Sequence, residues 1–128
     1  MQLSHAEWKI MNVLWRAGPA NARDVLEALK GETGWAYTTV KTMLTRLAEK
    51  GAVREKTTGQ TAVYFPRVAQ RSARKAAVKT LIERAFDGVG GFVHHLVEHE
   101  KLDAKQRATL RRLLDEQDGA TRDRGGGP

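Results

Sequence analysis

The 128 residues are 41% hydrophobic and carry 22 Lys and Arg against 15 Asp and Glu, for a formal net charge of +7 and a pI near 10.1. A chain of this length buries roughly two-thirds of its unfolded surface, which suits one compact domain or two small ones and leaves no room for a large enzyme with a deep cleft. Cysteine is absent, which excludes disulfides, thiolate nucleophiles and cysteine-based zinc or copper sites, while the excess of cations favours a polyanionic partner.

No basic segment followed by an apolar run opens the chain, and no window approaches the roughly eighteen apolar residues of a membrane span. A cytoplasmic protein without a membrane partner is expected. Ser4 and Glu7 have the spacing of a capping box and open a first helix, with Trp8, Ile10, Met11, Leu14 and Trp15 on its buried side. Gly18-Pro19 stops it. A second helix starts at Asn21, buries Val25, Leu26 and Leu29, and is expected to end near Lys30-Gly31, with residues 32–35 as a connector.

A third helix follows from Tyr37 and Thr38, with Val40, Met43, Leu44 and Leu47 as its apolar face and Lys50-Gly51 as its close. The other side carries Thr39, Lys41, Thr42, Thr45, Arg46 and Glu49. So many β-branched threonines on one short helix oppose local propensity, and such conflicts concentrate at functional sites. From Ala52 the period changes to two, breaks at residues 57–60, and resumes through Phe65 to Pro66, the pattern of a β-hairpin.

Residues 67–79 contain Arg67, Arg71, Arg74, Lys75 and Lys79 and no acid. This basic stretch opens an alanine-rich helix expected to run through Leu81, Ile82 and Phe86 to Asp87-Gly88. Another helix spans Gly91 to about Glu100 with Phe92, Val93, Leu96 and Val97. A last one opens at Asp103, with Gln106 at capping-box spacing and Leu110, Leu113 and Leu114 on one face. The tail from residue 119 is expected to be disordered. These stripes are too sparse to close a core of about fifty residues. Self-association through Leu81, Phe86, Phe92, Leu96, Val97, Leu110, Leu113 and Leu114 would cover them; the alternative is that they fold back on the N-terminal domain.

The fold expected is mainly α with a small β-hairpin. A winged helix-turn-helix occupies residues 1–66, a helical dimerisation region residues 67–118 and the tail residues 119–128. Such a third helix fits the major groove, where Lys41 and Arg46 can reach phosphates or guanine edges and threonine offers a hydroxyl and a methyl to bases. Arg54, Lys56 and Gln60, toward the tip of the hairpin, would follow the adjacent backbone or minor groove. The competing reading is that the polar side of this helix is merely solvated.

The strings AEWKIMNVLW, DVLEALKGETGWAYTTVKTMLTRLAEKGAV and AVYFP, followed by RAFDG, LVEHEKLD and LRRLLDE, resemble the penicillinase-repressor family of transcriptional regulators. Tyr37 and Thr38 match the start of the family's recognition helix and Thr39, Lys41, Thr42 and Arg46 its exposed face, while Arg54, Lys56 and Gln60 fall in its wing. The resemblance implies a homodimer that represses transcription from a palindromic operator of double-stranded DNA, typically built from TACA and TGTA half-sites. It also implies a sensor protease as a partner. Inducible members are cut at an Asn-Phe bond, where this chain has His95-Leu96, so that route of release is not expected here. Copper-responsive relatives carry cysteine clusters that this chain lacks.

His94, His95 and His99, with Glu98 nearby, have helical spacing for two metal ligands, but a closed site needs three or four. A solvated or dimer-facing cluster is expected, with no metal. Residues 67–79 lack the bulky apolar anchors of a membrane-binding helix and read as a linker close to the DNA backbone. No phosphate cradle, activated nucleophile or paired catalytic carboxylates occur, so neither an enzyme nor a cofactor is expected. A protein-interaction adaptor is the rival, yet the third helix shows none of the exposed anchors that adaptors use.

Overall fold

The computed structural model describes residues 1–125, with side chains through residue 119. Its elements are α1 (His5–Ala17), α2 (Ala22–Thr33), α3 (Tyr37–Lys50), β1 (Val53–Thr58), β2 (Thr61–Pro66), α4 (Gln70–Ala85), α5 (Gly88–His99) and α6 (Ala104–Gly125). They form two compact units, Met1–Thr80 and a second beginning at Leu81, so the first extends past the boundary expected at Pro66.

In the first unit α1 begins as its sequence requires. The Ser4 hydroxyl accepts from the Glu7 amide at 3.1 Å, and Glu7 Oε1 accepts from the Ser4 amide at 2.8 Å. Ile10, Met11, Val13 and Leu14 from this helix meet Val25 and Leu29 of α2, Val40, Leu44 and Leu47 of α3, and Val53 and Tyr64 of the hairpin in one buried core. Trp8 and Trp15 stay half-buried at its rim, their ring centroids 5.8 Å apart and tilted by 55°. Trp15 Nε1 donates to the Val68 carbonyl at 2.9 Å, and Gln70 donates to Asn12, which together pin the root of α4 to α1.

Helix α2 runs past Gly31, which costs it only about 1 kcal/mol as an interior glycine, and Thr33 Oγ1 donates back to the Leu29 carbonyl. The cap is instead Gly34, at φ +65° in the left-handed region. The strands pair antiparallel from Val53↔Pro66 to Thr58↔Thr61 around a two-residue turn. Gly59 takes φ +64° in its first position, where the turns that match strand twist require a positive φ. This register puts Arg54, paired with Phe65, next to the open end of the hairpin, while Gln60 is in the turn. Ala20 adds a bridge on the other edge of β2 by exchanging backbone hydrogen bonds with Tyr64 at 3.2 and 2.8 Å.

In the second unit α5 starts at Gly88 rather than Gly91, and Asp87 precedes it without a side-chain cap. Asp103 and Gln106 form the expected reciprocal cap of α6 at 3.0 and 2.7 Å. This helix continues to Gly125, so the tail expected to be disordered from residue 119 is helical over its described part, and residues 126–128 lie outside the described residues. Only one glycine interrupts residues 104–124, too weak a break to end a helix.

Glu7 has a second role that its cap position did not announce. It is 5% exposed, receives Lys50 Nζ at 2.6 Å, and so ties the start of α1 to the end of α3. Burial pushes its pKa up, but hydrogen bonds from Lys50 and Ser4 and the lysine charge outweigh this and hold the carboxyl below its usual value. A carboxyl depressed in the folded state stabilises above its unfolded pKa of about 4.3, and that contribution is lost as pH falls through the folded value. Urea melts from pH 6 down to pH 3 should therefore show wild type losing stability faster than Glu7→Gln; parallel curves would count against the linkage.

Candidate nucleic-acid interface

Helix α3 carries the candidate interface because its two sides are so unlike. Val40, Leu44 and Leu47 are fully buried, which fixes the helix, whereas Thr38, Thr39, Thr42, Thr45 and Arg46 are exposed. By helical geometry Thr39, Thr42 and Arg46 share one outward strip. Thr45 Oγ1 donates to the Lys41 carbonyl at 3.0 Å, which leaves Thr38, Thr39 and Thr42 as the α3 hydroxyls without a hydrogen bond among the described residues. One continuous helix thus presents hydroxyls, methyls and a guanidinium, the groups that read base edges and phosphates.

Lys41 is placed differently from the rest of the predicted set. It is half-buried, and its ammonium donates to the Tyr64 hydroxyl at 2.8 Å while lying 5.3 Å from the centroid of that ring. The hydrogen bond to Tyr64 raises the Lys41 pKa above the ordinary lysine value. Tyr37, 43% exposed, caps the other end of this flank with Arg23 5.6 Å from its ring centroid. A shallow cleft of about 520 Å³ runs here between the start of α2, α3 and the hairpin, lined among others by Asn21, Arg23, Tyr37, Lys41 and Gln60.

In the wing, Arg54, Lys56 and Gln60 are all exposed. Arg54 lies 5.2 Å from the Phe65 centroid, which places its guanidinium at the base of the hairpin rather than near its tip. Glu55 lies between the two basic residues in the chain and lines the cleft. Two contributors escaped the sequence reading, Tyr64 and Arg23. Tyr64 looked like an ordinary strand residue. Arg23 did leave a signal, since a cation in the first turn of a helix opposes the helix dipole and calls for a reason.

The predicted dimerisation residues all fall in the second unit or on the helix leading into it. Leu81, Val97, Leu110, Leu113 and Leu114 are 47%, 63%, 39%, 50% and 52% exposed, and Phe86, Phe92 and Leu96 are half-buried. Phe86 packs edge-on to Phe92 with centroids 5.4 Å apart, and His95 lies between Phe86 and His99, its ring tilted to both. Among the described residues no group of three or more His, Cys, Asp or Glu is placed to hold a metal ion, and no helix is long and apolar enough to cross a membrane.

A family model described as penicillinase repressor matches residues 3–116. The chain belongs to the penicillinase repressor family. It is 28% identical to the methicillin resistance regulatory protein MecI of Staphylococcus aureus (strain N315) over 115 residues, 89% of this chain and 94% of MecI. The penicillinase repressor of Bacillus licheniformis is 28% identical over 116 residues, 90% of this chain and 91% of that one. Among solved structures, the DNA binding domain of the repressor BlaI aligns with a TM-score of 0.50 at 35% identity, covering 54% of this chain and 84% of that domain. The structure of an hsRosR-S4 complex aligns with a TM-score of 0.56 over 94% of this chain and 93% of that one. At 15% identity this is a likeness of fold alone. Family membership and the BlaI alignment make α1, α2, α3 and the hairpin of the first unit a winged helix-turn-helix.

Proposed function

We propose that this penicillinase-repressor family member is a DNA-binding transcriptional repressor that acts as a homodimer on a palindromic operator. The observation that carries the reading is the exposed Thr39, Thr42 and Arg46 strip of α3, held outward by a fully buried opposite side. In this reading α3 enters the major groove, Tyr37 and Thr38 approach the backbone at its start, and Arg54, Lys56 and Gln60 follow the flanking strand. The exposed Arg71, Arg74, Lys75 and Lys79 of α4 add positive charge beside the duplex. Dimerisation through the apolar residues of the second unit is supported by their exposure, and two-fold symmetry in the protein calls for two-fold symmetry in the operator.

Replacing Arg46 with Ala tests the reading, because the side chain is exposed and its loss should leave stability within about 0.5 kcal/mol. On a duplex carrying TACA and TGTA half-sites, a phosphate contact would show as a salt slope lower by about one, and a base contact as roughly 1–3 kcal/mol of lost discrimination. Unchanged affinity and unchanged slope would remove α3 as the reading element.

Release by a sensor protease of the β-lactam type is not expected. The resemblance places His95-Leu96 where inducible members have their scissile Asn-Phe, and this pair lies inside α5, whose helical backbone is not extended for cleavage. Mass spectrometry of the protein from β-lactam-treated cells should find it intact; a fragment ending at His95 would overturn this expectation.

A further inference from the structure

The position of Lys41 on α3 separates it from the residues with which the sequence groups it. At 100° per residue it lies roughly 140–160° around the axis from Arg46 and Thr39, on the flank beside the buried Leu44. Tyr64, its partner, is 0% exposed and lies where three elements meet. Its strand belongs to the wing, its backbone is paired with Ala20 immediately before the Asn21 cap of α2, and its hydroxyl receives the Lys41 ammonium at 2.8 Å. A lysine that turned away to meet a phosphate would leave a buried hydroxyl without that donor.

We propose that Lys41 is a positioning residue which, through Tyr64, fixes the angle between the DNA-reading helix and the wing, instead of contacting DNA itself. The inference rests on the reading of α3 as the DNA-reading element. A winged helix contacts groove and flanking backbone together, so a loosened α3–wing angle costs simultaneous engagement of both. Lys41 and Tyr64 then act on binding as one unit, and neither contributes a phosphate contact of its own.

The test uses the full chain and a duplex selected by the wild type from random-sequence DNA. Lys41→Ala, Tyr64→Phe and the double variant are each expected to bind about tenfold more weakly, with no further loss in the double variant. The ratio of specific to non-specific binding should fall while the salt slope stays at the wild-type value. In the free chain, both single variants should shift the same backbone amide resonances, at Ala20 and along α3. The proposal is overturned if Tyr64→Phe binds as wild type while Lys41→Ala lowers the salt slope by about one, or if the two losses add. Arg46→Ala reports separately on whether α3 reads DNA, and the amide shifts in the free chain need no DNA, so the two ideas fail in different ways.

Discussion

A fragment ending at Thr80 is expected to fold, to sediment as a monomer, and to bind the operator about 10²–10⁴-fold more weakly than the whole chain. The end point matters. A cut at Pro66, the boundary that composition marks, would remove the Val68 carbonyl that holds Trp15 and the Gln70 side chain that meets Asn12, so it would damage the unit it was meant to isolate. Cutting at Thr80 keeps the first compact unit and its core while removing the exposed Leu81, Val97, Leu110, Leu113 and Leu114. Two linked winged helices gain from effective concentration once one is bound, and a lone one does not. Analytical ultracentrifugation and operator titration read the two halves of the expectation. A fragment that remained dimeric, or that bound as tightly as the whole chain, would refute it.

Leu44→Ala should be among the most damaging single substitutions, costing about 2–5 kcal/mol. The side chain is fully buried among residues of all three N-terminal helices and the hairpin, and its loss leaves a cavity that rigid neighbours fill poorly. For a unit of this size that corresponds to a melting point lower by about 8–40 °C. Leu113→Ala is the matched control. Half-exposed at 50% on α6, Leu113 should leave the melting of the first unit nearly unchanged and act on self-association instead. Calorimetry of both variants separates the roles, and equal shifts would show that the division between core and interface leucines is misplaced.

What the sequence disclosed depended on how local the physics was. The capping boxes at Ser4 and Asp103, the buried side of α3 and the hairpin are each set by residues within a few positions of one another, and each formed, though the break expected over residues 57–60 narrows to a turn at Gly59-Gln60. The end of α2 lies beyond the expected stop because Gly31 and Gly34 can both close a helix, and only the back-bond from Thr33 to Leu29 and the left-handed backbone of Gly34 decide between them. The candidate site divides along the same line. Thr39, Thr42 and Arg46 follow from helical periodicity alone. The capture of Lys41 by Tyr64 joins residues 23 positions apart and the Ala20 bridge to Tyr64 spans a longer stretch still, and neither leaves a trace in composition or spacing. Glu7 is the intermediate case: its cap role was visible, its pairing with Lys50 was not.

The tilted contact between Trp8 and Trp15 gives the chain a built-in optical probe. Two indoles 5.8 Å apart, with ring planes 55° from parallel, have transition dipoles close enough to couple and skewed enough to make that coupling chiral. Near-ultraviolet circular dichroism should therefore carry a signature of the α1 rim that neither indole would produce alone. Because Trp15 also bonds the carbonyl at the root of α4, fluorescence from this pair follows the attachment of that helix to the winged helix-turn-helix without any label.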